Sequence, residues 1–303
     1  MIELSDEKEY VRFPLPHGGP ACSRARPGSL PVEVWQLMEI DTKVYESQSG
    51  MPVTLYFPEA PAEVLPCVIL LHERYGLVQH TGDLARRLAS EGYCVATPDL
   101  FYYMEDQAAL HAGAAKATPS DPFILERLDE VVSVLSGEPV ADSTKLGMIG
   151  VCQTGRYSMI YGAKRPLDAC VVLYGGISDW DKSDRRPERM EDVLDELSAP
   201  FLGLYGEIDH SISIPAVVNL RNALEERGKS YRIKIFEDAP HGWLNSTMPG
   251  RYRKAAAEDA MREIVGFLEQ NVSNSVGLPG RVVWEFEANK KEDYDFAKNV
   301  RLE

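Results

Sequence analysis

The 303-residue sequence predicts an α/β protein, with a mostly parallel central sheet flanked by helices. Three observations carry that reading. Short apolar runs alternate with longer amphipathic stretches, the rhythm of strand, crossover helix and next strand. The runs are nearly continuous rather than alternating, as strands covered on both faces should be. Hydrophobic residues make up 44% of the chain, enough to fill such a core.

In chain order, strands are expected over 67–72, 94–98, 146–151, 169–174, 201–205 and 231–236. Helices are expected over 81–91 and 123–135, from just after Cys152 to 163, and over 214–227 and 251–269. Asp121 followed by Pro122 reads as a helix cap with a first-turn proline. Residues 1–35, rich in Pro, Gly and charge, read as an irregular N-terminal arm, and 36–270 as the α/β domain. Within that domain, 178–200 is a polar insertion with a helix near 190–197. Residues 271–303 form a C-terminal extension, expected to pack on the domain or contact a second copy, and the alternation over 282–286 suits an edge strand.

Composition excludes some partners. A net charge of −15 argues against nucleic acid and against an anionic membrane, since both repel such a surface. The opening residues carry neither a basic nor an apolar leader segment, so a cytoplasmic location is expected. The five cysteines are scattered, with no zinc-like spacing, and His72-Glu73 with His80 does not match a His-Glu-x-x-His site. No metal and no cofactor is therefore expected. Cys67, Cys94 and Cys170 lie in apolar runs and read as small buried hydrophobes.

Cys152 is different. "KLGMIGVCQTGRYSM" runs a strand into Gly150-Val151-Cys152-Gln153-Thr154-Gly155 and then a helix. A nucleophile elbow has this form, Gly-x-nucleophile-x-Gly on a sharp strand-to-helix turn. The helix N-terminus behind the sulfur favours a thiolate, and the Gln153 backbone N–H is a candidate oxyanion donor. Thr154 stands where a small residue is expected, with the glycine one place later, so either the turn is reshaped there or a hydroxyl is added beside the oxyanion.

Further along, "FLGLYGEIDH" delivers Asp209 and "IKIFEDAPHGW" delivers His241, each just after an expected strand. Each also has a plain use: Asp209 as the cap of the next helix, His241 as a turn residue beside Gly242. Their order, nucleophile then acid then histidine, and their shared sheet edge favour a triad. "VILLHERYGL" ends the first strong strand with Glu73 and Arg74, and the loop at this place supplies the second oxyanion N–H, here that of Arg74.

Taken together, "LLHERYG", "GYCVATPDLF", "GMIGVCQTG", "GLYGEIDHSIS" and "EDAPHGW" resemble the dienelactone hydrolase family of α/β-hydrolases over about residues 35 to 270. The resemblance implies Cys152 as nucleophile, Asp209 as acid, His241 as base, and Glu73 as a carboxylate touching the resting thiol until substrate arrives. It implies acyl transfer on a small lactone, enol-lactone or activated ester, of aromatic or ring-cleavage origin. The two arginines that hold the substrate carboxylate in the family correspond here to Tyr103 and Asn245, so an aromatic pocket of Tyr75, Tyr102, Tyr103 and Trp243, with Asn245, is expected instead. Arg74 and Arg156 are reserve charges, Arg156 more fitted to anchoring a neighbouring carboxylate. Two other readings stand beside it: a broader carboxylesterase or C–N or thioester hydrolase, and a non-catalytic receptor or thiol redox sensor. The expected partner is the small-molecule substrate, with a monomer or homodimer as the assembly.

Overall fold

The computed structural model describes residues 39–176, 183–274 and 282–288. The arm expected over 1–35 lies outside them. One nine-stranded sheet runs through the molecule in the order β1-β2-β4-β3-β5-β6-β7-β8-β9. The strands are β1 (Ile40–Glu46), β2 (Pro52–Pro58), β3 (Leu65–Leu70), β4 (Cys94–Pro98), β5 (Ala141–Val151), β6 (Ala169–Leu173), β7 (Phe201–Gly206), β8 (Tyr231–Phe236) and β9 (Trp284–Ala288). From β4 through β9 every pairing is parallel; β2 joins β1 and β4 antiparallel.

The helices are α1 (Gln79–Ser90), α2 (Gln107–His111), α3 (Asp121–Gly137), α4 (Gly155–Lys164), α5 (Met190–Glu196), α6 (Ile214–Glu226) and α7 (Lys254–Leu268). They cover both faces of the sheet, which splits the core in two. One cluster packs Ile69, Met148, Val172 and Ile233 with α3, α4 and α6. The other packs Val68, Ile149, Val171 and Leu204 with α1 and α7. Alternate residues of each strand serve opposite clusters, so β4, β6 and β7 are buried at every position.

All seven expected strands and six expected helices form, most within three residues of the expected ends. Three features differ. The β1–β2 pair was not expected, because β1 exposes most of its residues and carries few apolar ones. The short α2 was not expected either; Asp106 caps it through Ala109 N. And α3 is capped by Ser120, whose hydroxyl accepts from Phe123 N at 3.3 Å, rather than by Asp121. Asp121 sits one place inside, fully buried, paired with Arg156 on α4 at 3.1 Å.

Candidate active site

The parallel strands all end at one edge of the sheet, and their loops bring the candidate residues together there. At the end of β5 the chain turns at Cys152, whose φ of +54° lies in the left-handed region that a residue with a Cβ enters only at a cost. A single 3-10 turn, Cys152–Thr154, then leads into α4.

Two glycines make this turn possible. A Cβ on Gly150 would lie 2.7 Å from Gly155 Cα, and one on Gly155 would lie 2.4 Å from Gly175 Cα beyond β6. Thr154 is fully buried, and its hydroxyl is spent on the backbone rather than offered to the site. It accepts from Val151 N at 3.1 Å and donates toward His72 O at 2.8 Å and Val151 O at 2.9 Å. The reshaping expected of Thr154 is thus a staple between the ends of β5 and β3.

Asp209 follows β7 and His241 follows β8. The Cys152 sulfur lies 3.1 Å from His241 Nε2, and His241 Nδ1 lies 2.8 Å from Asp209 Oδ2. The other oxygen, Asp209 Oδ1, accepts from Ser211 N at 2.7 Å and Ile212 N at 2.9 Å. Asp209 therefore does not cap α6; Ser213 does, accepting from Ala216 N. Burial pushes the His241 pKa down, but the Cys152 charge and the Asp209 hydrogen bond outweigh it and hold the imidazole well above its ordinary value.

Glu73 is 3% exposed and reaches the same place from the end of β3. Its Oε1 accepts from the Tyr174 hydroxyl at 3.1 Å and its Oε2 from Asn245 Nδ2 at 2.7 Å. The contact to the resting thiol implied by the resemblance is absent among the described residues; the sulfur has His241 instead.

A cavity of about 1120 Å³ opens over Cys152. Tyr75 lines it, as do the sulfur, Glu73, Arg74 and Gln153. Tyr102, Tyr103, Trp243 and Asn245 do not. The Tyr102 hydroxyl donates to Ser49 O, and Tyr103 is 42% exposed, edge-on to Tyr102 and Phe123. Trp243 is fully buried between Phe236 and Tyr174, and Asn245 is spent on Glu73. The aromatic pocket expected from the sequence is therefore not what the chain builds.

The lining is cationic instead. Arg74, Lys116 and Arg185 face the cavity with no carboxylate partner among the described residues, and Arg156, Arg186 and Arg251 also line it. Glu73 is the one acidic lining residue among those described. Three hydrogen bonds fix the segment that roofs the cavity: Arg74 Nη2 to Gly113 O at 2.8 Å, Gln153 Nε2 to Ala117 O at 2.8 Å, and Arg185 Nη1 to Thr118 O at 3.1 Å. Sequence reasoning missed Lys116 and Arg185 because both lie in irregular polar segments without periodicity. It missed Tyr174 too, although "VVLYGG" ends a strand at the same sheet edge as the triad candidates.

A mostly parallel sheet with helices on both faces, and a cysteine, an acid and a histidine after β5, β7 and β8, is the arrangement of the α/β-hydrolase fold. The model of the Dienelactone hydrolase family matches residues 51–272, and the chain belongs to that family. A protein of Escherichia coli O157:H7 named "Putative carboxymethylenebutenolidase" is 33% identical over 236 residues, covering 76% of this chain and 86% of its own length. The crystal structure of a "Putative Dienelactone Hydrolase" from Klebsiella pneumoniae subsp. pneumoniae superposes with a TM-score of 0.69 at 29% identity, over 77% of this chain and 99% of that one. No helix among the described residues is long and apolar enough to cross a membrane.

Proposed function

We propose that the protein hydrolyses a small lactone or ester bearing a negative charge, through a thioester on Cys152. The observation that carries this reading is the unbroken relay from Cys152 Sγ through His241 to Asp209, at 3.1 and 2.8 Å, on the floor of a cationic cavity. The sulfur attacks the carbonyl carbon. The backbone N–H groups of Gln153 and Arg74 hold the oxyanion, and His241 gives its proton to the departing oxygen. Neutral His241 then takes a proton from water, which attacks the thioester and releases the acid. Asp209 fixes the imidazole through Nδ1 throughout.

The cations support the charge of the substrate. Arg74, Lys116 and Arg185 lack acid partners among the described residues, whereas the chain as a whole carries −15, so positive charge is concentrated where a ligand enters. The relative's name, a carboxymethylenebutenolidase, denotes an unsaturated lactone with a carboxyl group and fits the same chemistry. A receptor or redox sensor has no use for an acid and a base aligned behind the thiol.

The test is a panel of an anionic lactone, a neutral lactone, p-nitrophenyl esters and an amide, with wild type and Cys152→Ala. The reading expects turnover of esters and lactones, highest kcat/KM on the anionic lactone, an acyl adduct on Cys152 by mass spectrometry, and loss of all three in Cys152→Ala. Full hydrolysis by Cys152→Ala overturns it.

A further inference from the structure

Glu73 is held by two donors that are themselves fixed. Asn245 is 1% exposed, and its Oδ1 accepts from Thr247 N at 3.0 Å and from the Thr247 hydroxyl at 2.7 Å. Those two bonds settle the amide orientation, so Nδ2 must face Glu73. Tyr174 is fully buried at a φ of +38°, its ring edge-on to His241 at 5.3 Å and to Trp243 at 6.0 Å. Burial holds its hydroxyl well above the ordinary pKa, and the charges of both Glu73 and Cys152 add to this. Tyr174 lines the same cavity as the sulfur, yet bonds the carboxylate. Each Glu73 oxygen is occupied by a neutral donor, and among the described residues the sulfur's hydrogen-bond partner is His241.

We propose, on the reading that Cys152 is the nucleophile, that Tyr174 and Asn245 are positioning residues that pin the Glu73 carboxylate off the sulfur. Cys152 then rests as a thiolate paired with His241, open to electrophiles before any substrate enters. Were the carboxylate free to reach the sulfur, it would accept a hydrogen bond from the intact thiol and repel the thiolate, and the sulfur would stay protonated. The device costs two buried hydrogen bonds and removes any need for substrate to expel Glu73. With iodoacetamide the step balances simply: Sγ bonds the methylene carbon as the carbon–iodine bond breaks, iodide leaves, and the thiol proton is already on His241. Charged and titratable groups around the sulfur are His241 and Asp209, Glu73 and Arg74 after β3, Tyr174 after β6, His210 edge-on to His241, and Arg156 on α4. His80 on α1 feels the Glu73 charge from behind.

The experiment is the second-order rate of alkylation of Cys152 by iodoacetamide in the resting enzyme from pH 5 to 9, read by mass spectrometry with Cys152→Ala as the blank. Wild type should react at pH 6 more than about tenfold faster than a free cysteine, whose thiol titrates near ~8.5. Glu73→Gln should leave that rate within about twofold. Asn245→Ala or Tyr174→Phe should slow it about tenfold, and adding Glu73→Gln to either should restore it, which a merely structural defect would not allow. The proposal is overturned if wild type titrates as an ordinary thiol, if Glu73→Gln alone raises reactivity, or if folded clamp variants keep the wild-type rate. Should the clamp variants fail to fold, the wild-type and Glu73→Gln profiles still decide. Ester turnover separates the two levels: turnover surviving Cys152→Ala removes the functional reading, whereas turnover lost there beside an ordinary thiol profile removes only the clamp.

Discussion

At the scale of single residues, the site divides into groups that meet substrate and groups that hold them. Asp209 belongs to the second kind, with both its oxygens occupied. Asp209→Asn should keep the fold and lower kcat by roughly 10²–10⁴, measured on the ester that wild type prefers. The raised His241 pKa gives a signed pH dependence. Between the ordinary value near 6.5 and its raised value the imidazole keeps its proton for the leaving oxygen. As pH climbs through the raised value that proton is lost, so kcat/KM should fall only well above 6.5. Asp209→Asn removes one cause of the shift and should move that alkaline limb toward neutral pH. Thr154 works on the frame: Thr154→Val strands Val151 N–H and His72 C=O without their hydroxyl, and should cost about 1–3 kcal/mol in denaturant titration. The positions of Cys152, Asp209 and His241 were legible in the sequence because each follows an apolar run. The partners of Glu73 were not, because Tyr174 and Asn245 read as ordinary strand-end residues until the fold sets them on either side of one carboxylate.

At the scale of elements, what matters is how closely α4 approaches β6. Gly155 and Gly175 meet backbone to backbone, so Gly155→Ala should overpack this contact, cost about 1–3 kcal/mol in thermal unfolding, and reduce turnover by tilting the elbow. The other weak point is β1, whose residues are largely exposed and which is tied down by Glu138, the residue just past α3. Burial alone raises the Glu138 pKa, but hydrogen bonds from Tyr45 and Lys43 bring it below its ordinary 4.5. A carboxylate with a lowered folded pKa stabilises above about 4.5 and loses that contribution as pH falls through the folded value. The Tm gap between wild type and Glu138→Gln should therefore be largest near neutrality and close in acid. Strands β3 to β8 were legible because both faces are buried and the residues show it. Strand β1 was not, since its place depends on one lysine, one tyrosine and a glutamate some ninety residues away, a pairing no local pattern carries.

At the scale of the whole molecule, β9 closes the sheet beyond β8. It pairs in parallel through Tyr231–Trp284 to Ile235–Ala288, with Arg232 and Lys234 meeting Glu285 and Glu287. Cross-strand pairs contribute roughly 0.2–1 kcal/mol each, so truncation after Asn274 should cost a few kcal/mol in thermal unfolding. It should also leave β8 as an open edge, seen as concentration-dependent association in light scattering.

The distribution of charge has a further consequence for the molecule. The sulfur, the imidazole and its aspartate hang from strand ends in the sheet, whereas Lys116 and Arg185 stand on irregular segments tied to each other at Thr118 and pinned to the sheet edge by Arg74 and Gln153. On the proposed reading, two of the three selecting cations stand apart from the triad, with Arg74 beside the site as the exception. Residues 111–119 and 183–186 behave as an exchangeable faceplate: transplanting them between relatives should transfer the preference for a substrate's charge while leaving the bond-breaking machinery behind it unchanged.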